Sequence, residues 1–214
     1  MANTKNKSTE EWFDDLKKSE KFINSIDGQC LAKRFQKSNM IEVCTNRGNA
    51  LRGIGVTKKE QIWLYPEEAL YLSERRQLQV EDDDGVSLPV VELYPWLGQA
   101  GVAWEVYKVY VSLKLKGFVV RRHEPDGLNL HPSRFETSPS PIFNVYKSSK
   151  KFSITNPGDP DIYVYIQRGE AILPDTCCLK QTHFLSTSAA CHLFTVDCTG
   201  DVFEYNITFG EPSL

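Results

Sequence analysis

Several groups of side chains in this chain could do chemistry. Tyr146, His183 and His192 can each take or give a proton, and two histidines could work as an acid–base pair. The plainer reading is a strand tyrosine packed at a sheet edge and strand histidines with satisfied hydrogen bonds. Cys177, Cys178, Cys191 and Cys198, with His183 and His192, hold enough sulfur and nitrogen for a zinc site. No CxxC pair is present, however, and adjacent Cys177–Cys178 suits tetrahedral ligation poorly, so no metal is expected. In a strand, Cys191 and Cys198 serve equally well as small buried apolar groups. Asp197 and Asp201 flank Gly200, which is turn chemistry before it is anything else.

Basic residues come in clusters. Lys114 and Lys116 precede Arg121 and Arg122, and Lys58 and Lys59 precede Arg75 and Arg76. Such clusters ordinarily form solvated faces, and they also suit contact with a phosphate backbone. The whole chain of 214 residues carries a net charge of −3, which argues against a nucleic-acid binder held by charge alone. Glu81, Asp82, Asp83 and Asp84 form an acidic knot in the same chain. The N-terminal stretch MANTKNKSTEEWFDD lacks the hydrophobic core of a signal peptide, and no apolar run could span a bilayer. Reduced cysteines in a cytosolic or nuclear setting are the expectation.

The elements that must position these groups are partly legible. Residues 1–30 are polar, with a helical stretch over 9–26 capped by Thr9. Met40–Cys44 and Ile62–Leu64 read as strands separated by glycine turns. Pro66 opens a helix in WLYPEEALYLSERRQLQV, with Glu67 and Glu68 facing the positive end of its dipole and one face buried. Leu78–Val80 follows as a strand. Ser87-Leu88-Pro89 is expected to open a helix that Pro95 shortens or kinks. Trp104 to Lys116 has the clearest helical stripe, in Val106, Val109, Tyr110 and Leu113, with Gly117 at the left-handed cap. Phe118–Val120 is then a strand. After a Pro/Ser-rich loop at 123–141 the chain turns β-rich, with strands at 142–146 and 162–166. Strands at 192–196 and 202–207 are joined by the acidic loop. The sum is an α/β protein: an N-terminal segment at 1–30, an α/β domain at 31–100 and a second at 101–214.

Five blocks in one order carry a resemblance: LYPEEALYLSERRQLQV, YKVYVSLKLKGFVVRR, FNVYKSSKKFSITNPGDPDIYVYI, LPDTCCLK and LFTVDCTGDVFEYNITF. Over about residues 31–209 they resemble the non-catalytic subunit, conventionally numbered 54, of the eukaryotic tRNA-splicing endonuclease. The loop after VVRR is shorter than the long charged insertion that such subunits often carry. The resemblance implies an N-terminal α/β domain followed by an endonuclease-fold α/β domain with a mixed sheet. It implies a nuclear heterotetramer with catalytic and structural partner subunits, acting on precursor tRNA with no cofactor.

Catalytic subunits of that assembly use a tyrosine, a histidine and a lysine without metal. Tyr146 falls at the tyrosine position, as a vestige. Residues 148–156 hold no histidine, and Ser188-Ala189-Ala190-Cys191 holds no lysine. His192 lies beside the lysine position, but an imidazole is no permanently charged ammonium near neutral pH. The resemblance further implies that Asp197 and Asp201 form a loop that docks into a basic pocket of a neighbouring subunit. Val202, Phe203, Tyr205 and Ile207 would then pair with a partner strand. Arg75, Arg76, Lys114, Lys116, Arg121 and Arg122 become candidates for contact with the RNA backbone. The rivals are a catalytically active RNA endonuclease subunit using Tyr146 with His183 or His192, and a scaffold that assembles the complex without touching RNA.

Overall fold

A computed structural model describes residues 29–35, 38–123, 141–148, 152–154, 156–167 and 189–207. The expected helix over 9–26, residues 124–140 of the Pro/Ser-rich loop, Cys177, Cys178 and His183 lie outside the described residues.

The strands are β1 (Cys30–Arg34), β2 (Ile41–Thr45), β3 (Val56–Lys58) and β4 (Gln61–Leu64), followed by helix α1 (Pro66–Glu74). Then come β5 (Leu78–Glu81), β6 (Ser87–Leu88), α2 (Val90–Gln99) and α3 (Trp104–Leu115). The rest is β-structure: β7 (Val119–Arg122), β8 (Phe143–Tyr146), β9 (Ile162–Gln167), β10 (Ala190–Val196) and β11 (Val202–Ile207). A first sheet runs β3-β4-β2-β1-β5-β6 and a second runs β11-β10-β9-β8-β7. Each is mixed. β1 pairs parallel with β5 and antiparallel with β2, and β10 pairs parallel with β9 and antiparallel with β11. The α/β class expected from the sequence is what is found.

Two readings need correction. Ser87 and Leu88 do not begin a helix: they form β6 against Val80 and Glu81, and the helix starts at Val90. That helix is ten residues long and holds Pro95 in its interior, so the proline does not end it. The Pro66 helix is not amphipathic in place. Every residue from Pro66 to Ser73 is buried, the two glutamates included. The reason is its position. α1 packs against α2, β5 and α3, so no side of it is left to solvent.

α3 matches its stripe: Val106, Val109, Tyr110 and Leu113 are all buried. Gly117 ends it at φ +83, with its own N–H donating to Lys114 O and that of Phe118 to Leu113 O. Burying this stripe welds the sheets. One apolar core runs from Cys30 and Ile41 through Leu70 and Tyr110 to Phe143, Val164 and Phe194. Strand alternation sends Tyr165, Cys191 and Leu193 to the far face of the second sheet, where they form a smaller cluster. Two glycines set the fit at the 50–55 turn. At Gly53 a Cβ would stand 3.1 Å from Val119 Cγ2. At Gly55, with φ +83, it would stand 3.0 Å from both Leu64 Cδ2 and the Trp63 carbonyl oxygen.

Candidate functional site

Tyr146 ends β8 with 5% of its surface exposed, its ring centroid 5.3 Å from that of Phe152. Burial pushes its phenol pKa up, which opposes use as a base. Alternation along β8 puts Phe143 and Val145 on the core face and Tyr146 with Asn144 on the other. On β10, His192 shares the core-side face with Phe194. Tyr146 and His192 therefore belong to opposite faces of the second sheet.

His192 is instead bound to β11. Its Nδ1 lies 2.6 Å from Glu204 Oε1, and Lys116 Nζ holds Glu204 Oε2. Burial works to raise the Glu204 pKa, but Lys116 and His192 outweigh it and hold it below the usual range. The arrangement fastens the end of α3 to the β10–β11 hairpin.

The hairpin turn is built by its own carboxylate. Asp197 Oδ1 accepts the Thr199 amide at 2.9 Å, the Thr199 hydroxyl at 2.7 Å and the Asp201 amide at 2.8 Å. The Thr199 hydroxyl, and after it the Asp201 amide, hold the Asp197 pKa below the carboxylate norm. Thr199 Oγ1 also reaches Asp201 Oδ2 at 3.0 Å. Behind the turn lies α3, where a Cβ on Gly200 would stand 3.3 Å from Lys108 Cε. Both carboxylates are exposed on a loop that already has its shape. Cys198 sits in this turn and is exposed, whereas Cys191 is buried as expected.

β11 is an edge strand of the second sheet. Phe203 and Tyr205 are 47% and 53% exposed. With Ile207 they lie on the face of Leu193 and Cys191: Ile207 stands opposite Cys191, Tyr205 opposite Leu193 and Phe203 opposite Thr195. Val202 points the other way and packs against the main core. The four residues read as one pairing strand thus divide into one core residue and three on an outer apolar stripe.

The basic residues scatter. Arg122 donates from Nε and Nη2 to the two oxygens of Glu67, each at 2.6 Å, and its guanidinium carbon stands 4.1 Å from the Tyr65 ring centroid. Burial disfavours that charge, yet the 1% exposed Glu67 carboxylate more than offsets it and the Arg122 pKa is raised. Arg121 Nη1 donates to Gly55 O at 2.7 Å. Lys114 donates to Phe118 O at 3.3 Å, and burial pushes its ammonium pKa down. Lys116 holds Glu204, as above. Arg75 lies 3.9 Å over the Tyr71 ring. Arg76 is exposed at φ +56, its carbonyl taking the Gln29 side-chain amide.

Sequence reasoning missed the acidic half of this seam. Glu68 Oε1 accepts the Gly55 amide at 3.0 Å and Oε2 the Tyr65 amide at 2.9 Å. Burial, then the neighbouring Glu67 charge, pushes its pKa up to about 7. Only the proline before the glutamate pair signalled a helix start, and that signal speaks of a dipole and not of burial.

Residues 1–82 match the family model described as the tRNA-splicing endonuclease subunit sen54 N-terminal region. The match spans β1 to β5 with α1 among the described residues. No curated protein matches the chain.

Glu67→Ala leaves the Arg122 guanidinium without its carboxylate, and a loss of about 3 kcal/mol in urea unfolding is expected. Glu67→Leu with Arg122→Met should recover most of it, because neither partner is then stranded. Glu68 gives a pH signature. Its folded pKa is raised, so the folded state holds a proton that the unfolded state has lost between pH 4.5 and about 7. Wild-type stability relative to Glu68→Gln should therefore fall as pH rises through that window, by up to roughly 1.4 kcal/mol per unit. A flat difference would contradict the burial of an ionisable Glu68.

Proposed function

We propose that this chain is a sen54-like subunit of the tRNA-splicing endonuclease, one that cuts no RNA itself and supports cleavage of precursor tRNA by catalytic partner subunits in the nucleus. The empty histidine and lysine positions support this reading, as does the separation of Tyr146 and His192 on opposite sheet faces. The observation that carries it is the β10–β11 hairpin. One short segment presents a pre-shaped acidic turn and, directly after it, an edge strand with an outer apolar stripe. Carboxylates at a rigid tip suit a basic pocket of one neighbour, and a strand edge unpaired among the described residues suits β-pairing with another. Both features support the reading of a chain held in a heterotetramer.

Contact with the precursor tRNA belongs to the same proposal. Arg75 and Arg76 are its candidates, a reading supported by the absence of a carboxylate ion-pair partner for either among the described residues. Arg121 and Arg122 are committed to the 50–55 turn and α1, so they position structure and not RNA.

Docking is tested through Asp197 and Asp201. The double Asn variant keeps oxygen acceptors for the turn and removes both charges. Its complex should dissociate at lower salt than the wild-type complex, and the double Ala variant should not co-purify at ordinary salt. An intact complex with both variants would sink the docking role. Equal salt sensitivity of the Asn variant and wild type would remove the part played by charge.

A further inference from the structure

A cleft of about 750 Å³ opens between the two halves of the molecule. The 50–54 turn and Tyr71 form one wall, and the end of α3, the start of β7 and residues 148 and 152–154 form the other. Its size falls within the roughly 300–1,000 Å³ of small-ligand sites. It exists because the chain closes tightly at one point: Gly53, at φ +71, meets the Val119 side chain and fixes how near the walls approach.

The lining has a particular chemistry. Arg52 and Lys114 face the cleft, and no carboxylate is among its described lining residues. Arg52 has no ion-pair partner among the described residues and is exposed. Lys114 spends one N–H on Phe118 O and keeps two donors. Beside them stands the half-buried ring of Phe152, in tilted contact with the ring of Tyr146, which does not itself line the cleft. Two cations in a cleft with no carboxylate among its described lining residues ask for an anion, and an aromatic face asks for a flat partner. A nucleoside phosphate satisfies both at once. A peptide carboxylate or a bare phosphate would leave the aromatic ring unused.

We propose that the cleft binds one unpaired nucleotide of an RNA chain, with Arg52 and Lys114 on its phosphate and its base stacked on Phe152. This rests on the RNA contact in the proposed function and goes beyond it. It adds recognition of a single-stranded nucleotide at a site apart from Arg75 and Arg76, and it gives Tyr146 a present use as the support of the stacking ring.

The full-length chain is titrated with a fluorescein-labelled pentaribonucleotide, using AMP and inorganic phosphate as competitors, and anisotropy is read. Saturable binding is expected. Phe152→Leu should weaken it about 5- to 100-fold. Arg52→Ala should also weaken it and reduce the salt slope by about 0.7, with Arg52→Lys retaining most of the binding. Thermal melts confirm that the variants fold. Unchanged binding by both Phe152→Leu and Arg52→Ala overturns the site. Phosphate competing as well as AMP overturns the stacked base, and AMP competing as well as the unlabelled pentamer overturns RNA as the source. No pentamer binding, while the assembled endonuclease still crosslinks precursor tRNA to this subunit, defeats this inference alone. No crosslink to the subunit at all defeats the RNA contact on which it rests.

Discussion

The buried pair of Glu67 and Arg122 is the constraint on which the rest of this molecule depends. The first helix of the described chain, α1, carries the carboxylate, and β7, the first strand of the second sheet, carries the guanidinium. Neither charge tolerates the interior alone, so the two halves are held in the one relation that brings them together. Next to the pair, Arg121 takes the Gly55 carbonyl while Glu68 takes the Gly55 amide. A single residue of the 50–55 turn, Gly55, is thus gripped through both its backbone groups from the two sides of the seam. The apolar core that runs through α1 and α3 supplies the bulk of the attraction, and the ionic seam supplies the register.

From that seam the functional surfaces follow by strand geometry. Once β7 is fixed, β8, β9 and β10 fall in order, and β11 is left as the edge. Alternation then turns Phe203, Tyr205 and Ile207 outward as a stripe, while Glu204 turns inward to His192 and Lys116. The turn between the strands needs no partner to take its shape, because Asp197 supplies its own acceptors. A preformed loop loses little conformational freedom on docking, which favours its use as a peg.

The parts that were legible in the sequence are those where one local period dominates. The stripe of α3, its glycine cap and the β10–β11 hairpin can be read from spacing alone. β1 could not. It lies between β2 and β5, yet its inward residues are Cys30 and Ala32, too small to raise an apolar signal beside Lys33 and Arg34. The burial of α1 was hidden for the opposite reason: two glutamates read as complements to the helix dipole when their buried partners lie far away in sequence. Arg122 is 55 residues from Glu67, and Arg121 is 66 residues from Gly55. The same distance misled the reading of the basic cluster, because strand alternation sends adjacent arginines to different places. The candidate catalytic positions were the reverse case. Absent residues are visible in a sequence, and the structure adds only that Tyr146 and His192 do not face one another.

That this chain supports cleavage without performing it can be tested most directly at Tyr146. Wild type and Tyr146→Phe are each assembled with the partner subunits, and single-turnover cleavage of an intron-containing precursor tRNA is timed. Phenylalanine keeps the ring against Phe152, so the rate should stay within about twofold of wild type. A loss on the order of 100-fold or more, the scale expected for removal of a general base, would place the tyrosine in the chemistry and contradict the non-catalytic reading.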